Sequence, residues 1–167
     1  MNRHLMFPLF TLAITLGLVG CASNQPLQSA QGTDWQRPHS ADSGASAVAD
    51  SLWQVFERYE GTPYRYGGTS ASGFDCSGFI ATAFDEALGR QLPRTTTQML
   101  ASGKAIQPHQ LQAGDLVFFR IKGKDQHAGI YMGGDSFIHS SSSSGVTRSS
   151  LDGYYWRGRL SQVRRFD

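Results

Sequence analysis

The sequence predicts an α+β domain in which helices come first and an antiparallel sheet follows. Three observations lead there. Apolar residues recur at helical spacing before residue 90, the pattern shifts to short strand-like runs after residue 114, and those runs are separated by brief Gly-, Lys- or Ser-rich turns. The chain has 167 residues and a net charge of +2. After removal of a leader, that length leaves room for one domain of ordinary size, able to bury a core without disulfides or metal. So small a charge argues against a strongly basic nucleic-acid binder and against an acidic disordered protein.

The first twenty residues read as an address. Arg3 and His4 precede an almost wholly apolar run from Leu5 to Leu18. This run is too short for a comfortable membrane-spanning helix, but it has the length and flanks of a signal peptide. Leu18-Val19-Gly20-Cys21 resembles the bacterial lipobox, after which the leader is cut and the cysteine diacylated. Cys21 is therefore expected to be a lipid anchor on a membrane rather than a thiol. The alternative is an ordinary signal sequence with a chance cysteine. Ala22, and not aspartate, follows Cys21. In a Gram-negative cell this pattern implies an outer-membrane lipoprotein facing the periplasm.

Residues 21–46 are rich in Ser, Gln, Ala, Asp and Gly and show no hydrophobic period, so they are expected to form a flexible tether in which Trp35 is the exception. The folded domain is expected over residues 47–167. Val48, Leu52, Val55, Phe56 and Tyr59 share one helical face, and Gly61-Thr62-Pro63 stops that helix. Tyr64 to Gly73 is loop-like. A second helix follows from Cys76 to Gly89, with Phe79, Ile80, Ala83, Phe84, Ala87 and Leu88 as its buried stripe and Asp75 as its N-cap. Thr95 to Leu100 fits one short helix. Asp115–Arg120, His127–Met132, Ser136–Ser140, Val146–Ser149 and Gln162–Phe166 read as strands, and Ser140 to Ser144 as a solvated loop.

Cys76 is the residue that points to chemistry. A thiol at a helix start meets the positive end of the helix dipole, which favours thiolate. With Cys21 otherwise explained, it has no disulfide partner in the chain. His127 and His139 flank a natural hairpin turn, Gly133-Gly134-Asp135. If Met132 pairs with Ser136, Gly129 lies opposite His139, and His127 is the diagonal neighbour of His139 on the same face. A slip of one residue would put the two histidines on opposite faces. A cysteine nucleophile needs a base, and the base needs a group that fixes its tautomer and direction. His127 fits the first role and His139 the second. A zinc site built from these three residues is the chemical competitor, but structural zinc ligands come in short-range pairs such as C-x-x-C, and none is present. His4, His39 and His109 are assigned nothing.

Gly61-Thr62-Pro63-Tyr64-Arg65-Tyr66-Gly67-Gly68, Gly73-Phe74-Asp75-Cys76-Ser77-Gly78-Phe79, Leu92-Pro93-Arg94-Thr95, Gly114-Asp115-Leu116-Val117-Phe118-Phe119, His127-Ala128-Gly129-Ile130-Tyr131 and Phe137-Ile138-His139 together resemble the NlpC family of cell-wall peptidases. The resemblance runs from about Leu52 to the end, and the lipobox and tether match its lipoprotein members. It implies a papain-like fold, with the cysteine helix packed on a sheet that carries the histidines. It also implies hydrolysis of amide bonds to diaminopimelate in peptidoglycan stem peptides or their cross-links, without a cofactor and by a monomer.

Carried over by motif position, Cys76 is the nucleophile, His127 the base and His139 the third member. Tyr64 matches a tyrosine that helps the oxyanion. Asp75 and Ser77 match positions lining a subsite for a free amine or carboxylate, with helix capping as the plainer explanation. Ala113 stands where many relatives have proline, and the serine run after His139 is longer than expected; neither touches the triad. A non-catalytic wall-binding lipoprotein, or an amidase or acyltransferase on the same scaffold, are the alternatives, because fold and triad do not fix the substrate.

Overall fold

A computed structural model describes residues 43–122 and 126–167. The expected leader, Cys21 and most of the tether lie outside them. Helix α1 (Ser43–Tyr59) begins four residues before the expected boundary at Ala47. Short residues such as Ala45 and Ala47 carry no apolar stripe, so only the structure reveals that the helix extends through them. α1 buries Leu52, Val55 and Phe56 as expected, together with Ala49 and Trp53. Helix α2 (Cys76–Leu88) follows, ending on Gly89 in the left-handed region at φ 64°. The amide of Gly89 satisfies the Asp85 carbonyl at 2.9 Å, which closes the helix end. Helix α3 (Thr96–Ser102) starts with a capping box in which Thr95 and Gln98 satisfy each other's amides.

Between α1 and α2, β1 (Thr69–Ser70) and β2 (Gly73–Phe74) form a two-residue ribbon in a stretch the sequence presents as loop. The main sheet contains β3 (Lys104–Ile106), β4 (Leu116–Phe119), β5 (His127–Gly133), β6 (Ser136–Ser141), β7 (Gly145–Ser150) and β8 (Leu160–Arg165). Its spatial order is β3-β8-β4-β5-β6-β7, and every pairing is antiparallel. β3 was not legible in the sequence, because three residues cannot display a period.

The sheet is buried on both faces. Leu116, Phe118, Ala128, Ile130, Met132, Ile138 and Val146 pack with α1 and α2 on one side. Val117, Phe119, Tyr131, Phe137 and Val163 form a smaller core on the other, closed by Leu151, Trp156 and Leu160. This explains why β4 is an unbroken apolar run rather than an alternating one. Each fully buried Phe or Leu contributes on the order of 1.5–3 kcal/mol.

Two sequence expectations need correction. Met132 does not pair with Ser136: a bulge sets Gly133 opposite Ser136, although Tyr131 still faces Phe137 and Ile130 faces Ile138. The bulge absorbs one residue at the hairpin end, so the expected register survives where the histidines lie. Ser140 is not in a solvated loop. It is a fully buried residue of β6, and its hydroxyl donates to the Phe74 carbonyl at 2.9 Å. Only Ser142 to Ser144 form the exposed turn.

Asp115, just before β4, is 1% exposed and accepts from Arg165 Nε at 2.7 Å and Arg165 Nη2 at 2.8 Å. It also accepts from the Gln112 amide at 2.9 Å. The pair ties the start of β4 to the end of β8. Removing the guanidinium leaves the buried Asp115 carboxylate without its charge partner, so Arg165→Ala should destabilise the domain by about 3 kcal/mol. A urea titration should show a lower midpoint with unchanged slope. An unchanged midpoint would show that the staple is dispensable.

Candidate active site

The site is assembled around the N-terminus of α2. Asp75 caps it, accepting from the Gly78 amide at 2.6 Å through Oδ1. The same carboxylate takes the Gly67 amide at 3.0 Å and the Ser77 hydroxyl at 3.2 Å. Arg94 donates to both of its oxygens, at 3.0 and 2.8 Å, and to Ser77 Oγ at 3.0 Å. Gly78 is required here by close approach, because a Cβ would lie 2.1 Å from the Gly68 carbonyl oxygen. The loop before the helix, the helix start and the segment leading to α3 therefore meet on one carboxylate. Asp75 and Ser77 are 8% and 5% exposed; the Asp75 carboxylate caps the helix, whereas the Ser77 hydroxyl links Asp75 to Arg94.

Burial pushes the Asp75 carboxyl up, but the bonds from Arg94 and the Gly78 amide, with the Arg94 charge, outweigh it and hold the group below its ordinary value of 3.8.

Cys76 is half-buried, and its sulfur lies against the backbone of Ala128 in β5. The helix start was expected to favour thiolate, but the balance runs the other way. Burial pushes the Cys76 thiol up and the neighbouring Asp75 charge adds to this, while backbone hydrogen bonds from Ala128, Ser77 and Cys76 itself only partly offset it.

The histidines meet as the strand arithmetic predicts. His127 Nε2 and His139 Nδ1 are 2.8 Å apart, with the rings edge to face at 85°. Gly129 makes room for this contact, since a Cβ there would lie 2.9 Å from the Ile138 carbonyl and 3.2 Å from the His139 Cβ. His139 is 1% exposed. Its burial, and then the nearby His127 charge, hold its pKa well below 6.5, so it stays neutral.

Two contacts were not foreseen. Trp156 stacks on His127, with centroids 5.3 Å apart and planes at 25°, and meets His139 edge to face. Ser149 Oγ lies 3.0 Å from His139 Nε2. Trp156 belongs to an irregular segment between β7 and β8, which carries no period to read. Ser149 was hidden because its place depends on the β6–β7 register, in which His139 faces Thr147 and Phe137 faces Ser149.

All of these side chains open on one cleft of about 1610 Å³ that is also lined by Tyr64 and Arg94. Tyr64 is held there by a backbone bridge to Phe74. The cleft exceeds an ordinary small-molecule pocket and has the size for an extended peptide. Among the described residues, no group of three or more His, Cys, Asp or Glu is placed to hold a metal, and no helix is long and apolar enough to cross a membrane. His109 sits exposed in a 3₁₀ turn away from the cleft lining.

The depressed Asp75 pKa has a consequence for acid stability. A carboxyl whose folded pKa lies below its unfolded one contributes stability that is complete above the unfolded value and lost as pH falls through the folded value. Arg94→Ala removes the largest of the lowering influences, so the acid-unfolding midpoint should move to higher pH when followed by circular dichroism. Arg94→Lys should recover only part of the difference, because an ammonium cannot bridge both oxygens as the guanidinium does. An unmoved midpoint in Arg94→Ala would show that the amides alone hold the carboxylate.

Comparison with known proteins agrees with this geometry. The model of the NlpC/P60 family matches residues 61–165. The "Murein DD-endopeptidase MepS/Murein LD-carboxypeptidase" of Escherichia coli (strain K12) is 40% identical over 71% of this chain and 63% of its own. The "Probable endopeptidase NlpC" of the same strain is 43% identical over 77% of this chain and 84% of its own. Among solved structures, the NlpC/p60 domain of the peptidoglycan hydrolase SagA superposes with a TM-score of 0.60 at 30% identity, covering 71% of this chain and 98% of that one. The chain spans a little over three-fifths of the length of the relatives it first matches, 61% and 63%. With an α-helical layer on an antiparallel sheet in the papain-like arrangement and this match over most of the described residues, the chain belongs to the NlpC/P60 family.

Proposed function

We propose that the chain is a peptidoglycan endopeptidase that cleaves an amide bond to diaminopimelate in stem peptides or their cross-links, with Cys76 as nucleophile, His127 as base and His139 as the group that orients it. The observation that carries this is the convergence of a helix-start thiol and a hydrogen-bonded histidine pair on one peptide-sized cleft. The printed names of the relatives, endopeptidases of murein among them, supply the substrate class.

In this reading His139, buried, stays neutral behind His127. His127 takes the Cys76 proton as the sulfur attacks the amide carbonyl. The tetrahedral oxyanion accepts from the Cys76 amide and the Tyr64 hydroxyl. His127 then gives its proton to the leaving amine. Water, deprotonated by His127, attacks the thioester, and the acid leaves as the Cys76 thiol is restored. Trp156, stacked on His127, excludes water from one ring face and favours the imidazolium through its π cloud. Asp75 and Ser77 act through Arg94 and the Gly67 loop.

Cys76→Ala should abolish release of new amine termini from purified sacculi while leaving the circular dichroism spectrum unchanged, and Cys76→Ser should be nearly inactive. His127→Ala should lower turnover of a defined muropeptide by about a hundredfold or more. His139→Ala should also lose most turnover, whereas His139→Asn should retain more, because its amide oxygen can still accept the imidazole N–H. Substantial hydrolysis by Cys76→Ala would remove the assignment. A wall-binding protein without activity would release nothing in the wild type either.

We further propose that Cys21 carries a diacyl anchor that holds the domain at the outer membrane of a Gram-negative cell, facing the periplasm, and that residues 21–42 serve as the tether. The lipobox-like Leu18-Val19-Gly20-Cys21 and the following Ala22 support this. Cys21→Ser should lose incorporation of labelled palmitate and keep an uncut or differently cut leader, while a purified domain from Ser43 onward keeps its hydrolase activity. Acyl labelling that persists in Cys21→Ser would overturn the anchor.

A further inference from the structure

The pairing of β5, β6 and β7 sets three polar side chains in one diagonal row. His127 Nε2 contacts His139 Nδ1 at 2.8 Å, and His139 Nε2 contacts Ser149 Oγ at 3.0 Å. Each contact needs one donor and one acceptor, and a neutral imidazole has only one of each. In the resting state two arrangements satisfy the row, with the ring protons running either toward Ser149 or away from it. Once His127 has taken a proton from Cys76, both of its nitrogens are donors. His139 must then accept at Nδ1, and, being buried and neutral, it must carry its own proton on Nε2. Among the described residues, the partner of that nitrogen is the oxygen of Ser149.

We infer that Ser149 is a positioning residue of the histidine pair, whose hydroxyl oxygen accepts the His139 Nε2–H and so holds His139 in the only tautomer that can support a protonated His127. The inference rests on the reading of His127 as the base. The rings packed on the pair belong to Phe119, Phe137 and Trp156, so Ser149 supplies its oxygen in a largely aromatic surround. Ser149 acts through His139 and contacts no reacting atom. Its effect falls on the state in which charge has developed, and so on turnover more than on substrate binding.

The test is a set of four variants on a defined muropeptide. Ser149→Ala should lower kcat about tenfold or more, as expected for a buried N–H left without an acceptor, with KM within about twofold. Ser149→Thr keeps the oxygen and should restore most of kcat. In the His139→Asn background, the amide has a fixed acceptor and no tautomer to choose, so adding Ser149→Ala should cost no more than about twofold.

Nitrogen-15 NMR of the imidazoles supplies a readout without catalysis. With His127 protonated in acidic solution, wild-type His139 should report a proton on Nε2, and in Ser149→Ala the pH at which His127 gains its proton should move down, because the His139 N–H then lacks its acceptor. Wild-type turnover by Ser149→Ala, or an equal loss in both backgrounds, would overturn the inference. So would a wild-type His139 carrying its proton on Nδ1. A wild type that cleaves no muropeptide would instead sink the endopeptidase reading, and the NMR arm would still decide the role of Ser149.

Discussion

The carboxylate of Asp75 is the point on which the cleft depends. It is nearly buried, and five hydrogen bonds from four residues converge on its two oxygens. Those donors come from three stretches of chain far apart in sequence: the Gly67 loop, the first turn of α2 and the segment before α3. A buried carboxylate is tolerable only when so fully satisfied, because an unpaired one would cost several kcal/mol in desolvation. The same charge sits beside Cys76 and disfavours its thiolate. Holding the helix start in place and helping burial to raise the Cys76 pKa are thus two effects of one group.

Strand β6 joins the cysteine to the histidines by a simpler device. Successive residues of a strand face opposite ways. His139 points into the layer shared with His127, Ser149 and Trp156, while Ser140 points to the other face and holds the Phe74 carbonyl, two residues before Cys76. On β5 the same alternation places the His127 ring on one side and the Ala128 backbone against the sulfur. The surroundings of Cys76 and of His127 are therefore held through the two faces of one sheet, whose cores are separate. Such a mount leaves little freedom for the reacting atoms to drift, which is what a proton transfer over hydrogen-bond distance needs.

The parts of this arrangement that were legible from residues alone share a property. α2 announces itself by an apolar stripe, an N-cap aspartate and a terminal glycine, and all three are local signals. The histidine contact was also legible, because a Gly-Gly-Asp turn restricts the hairpin register to a few choices; the bulge displaced the pairing only at Met132 and Gly133. What was not legible depended on pairings between strands that no turn motif specifies. Ser149 reaches His139 only through the β6–β7 register, and Ser140 left its supposed loop because β6 runs further than its apolar residues do. The upward direction of the Cys76 pKa was not legible for another reason. Helix polarity is written in the sequence, whereas burial of the sulfur and the fixed charge of Asp75 beside it are properties of the fold.

That last difference bears on how the family's chemistry works in this chain. A thiolate at Cys76 is opposed by burial and by the Asp75 charge, and supported by backbone bonds from Ala128 and Ser77 and by the Arg94 guanidinium. In the proposed mechanism a protonated His127 lies among the rings of Phe119 and Trp156 with His139 Nδ1 as acceptor. The supporting groups are then needed mainly while charge exists: Trp156 over the His127 ring, His139 as acceptor, Ser149 behind it. Interactions that strengthen only as the reaction proceeds raise turnover without tightening substrate binding. The polar row across β5, β6 and β7 is of that kind, since its protons have two acceptable arrangements before transfer and one after.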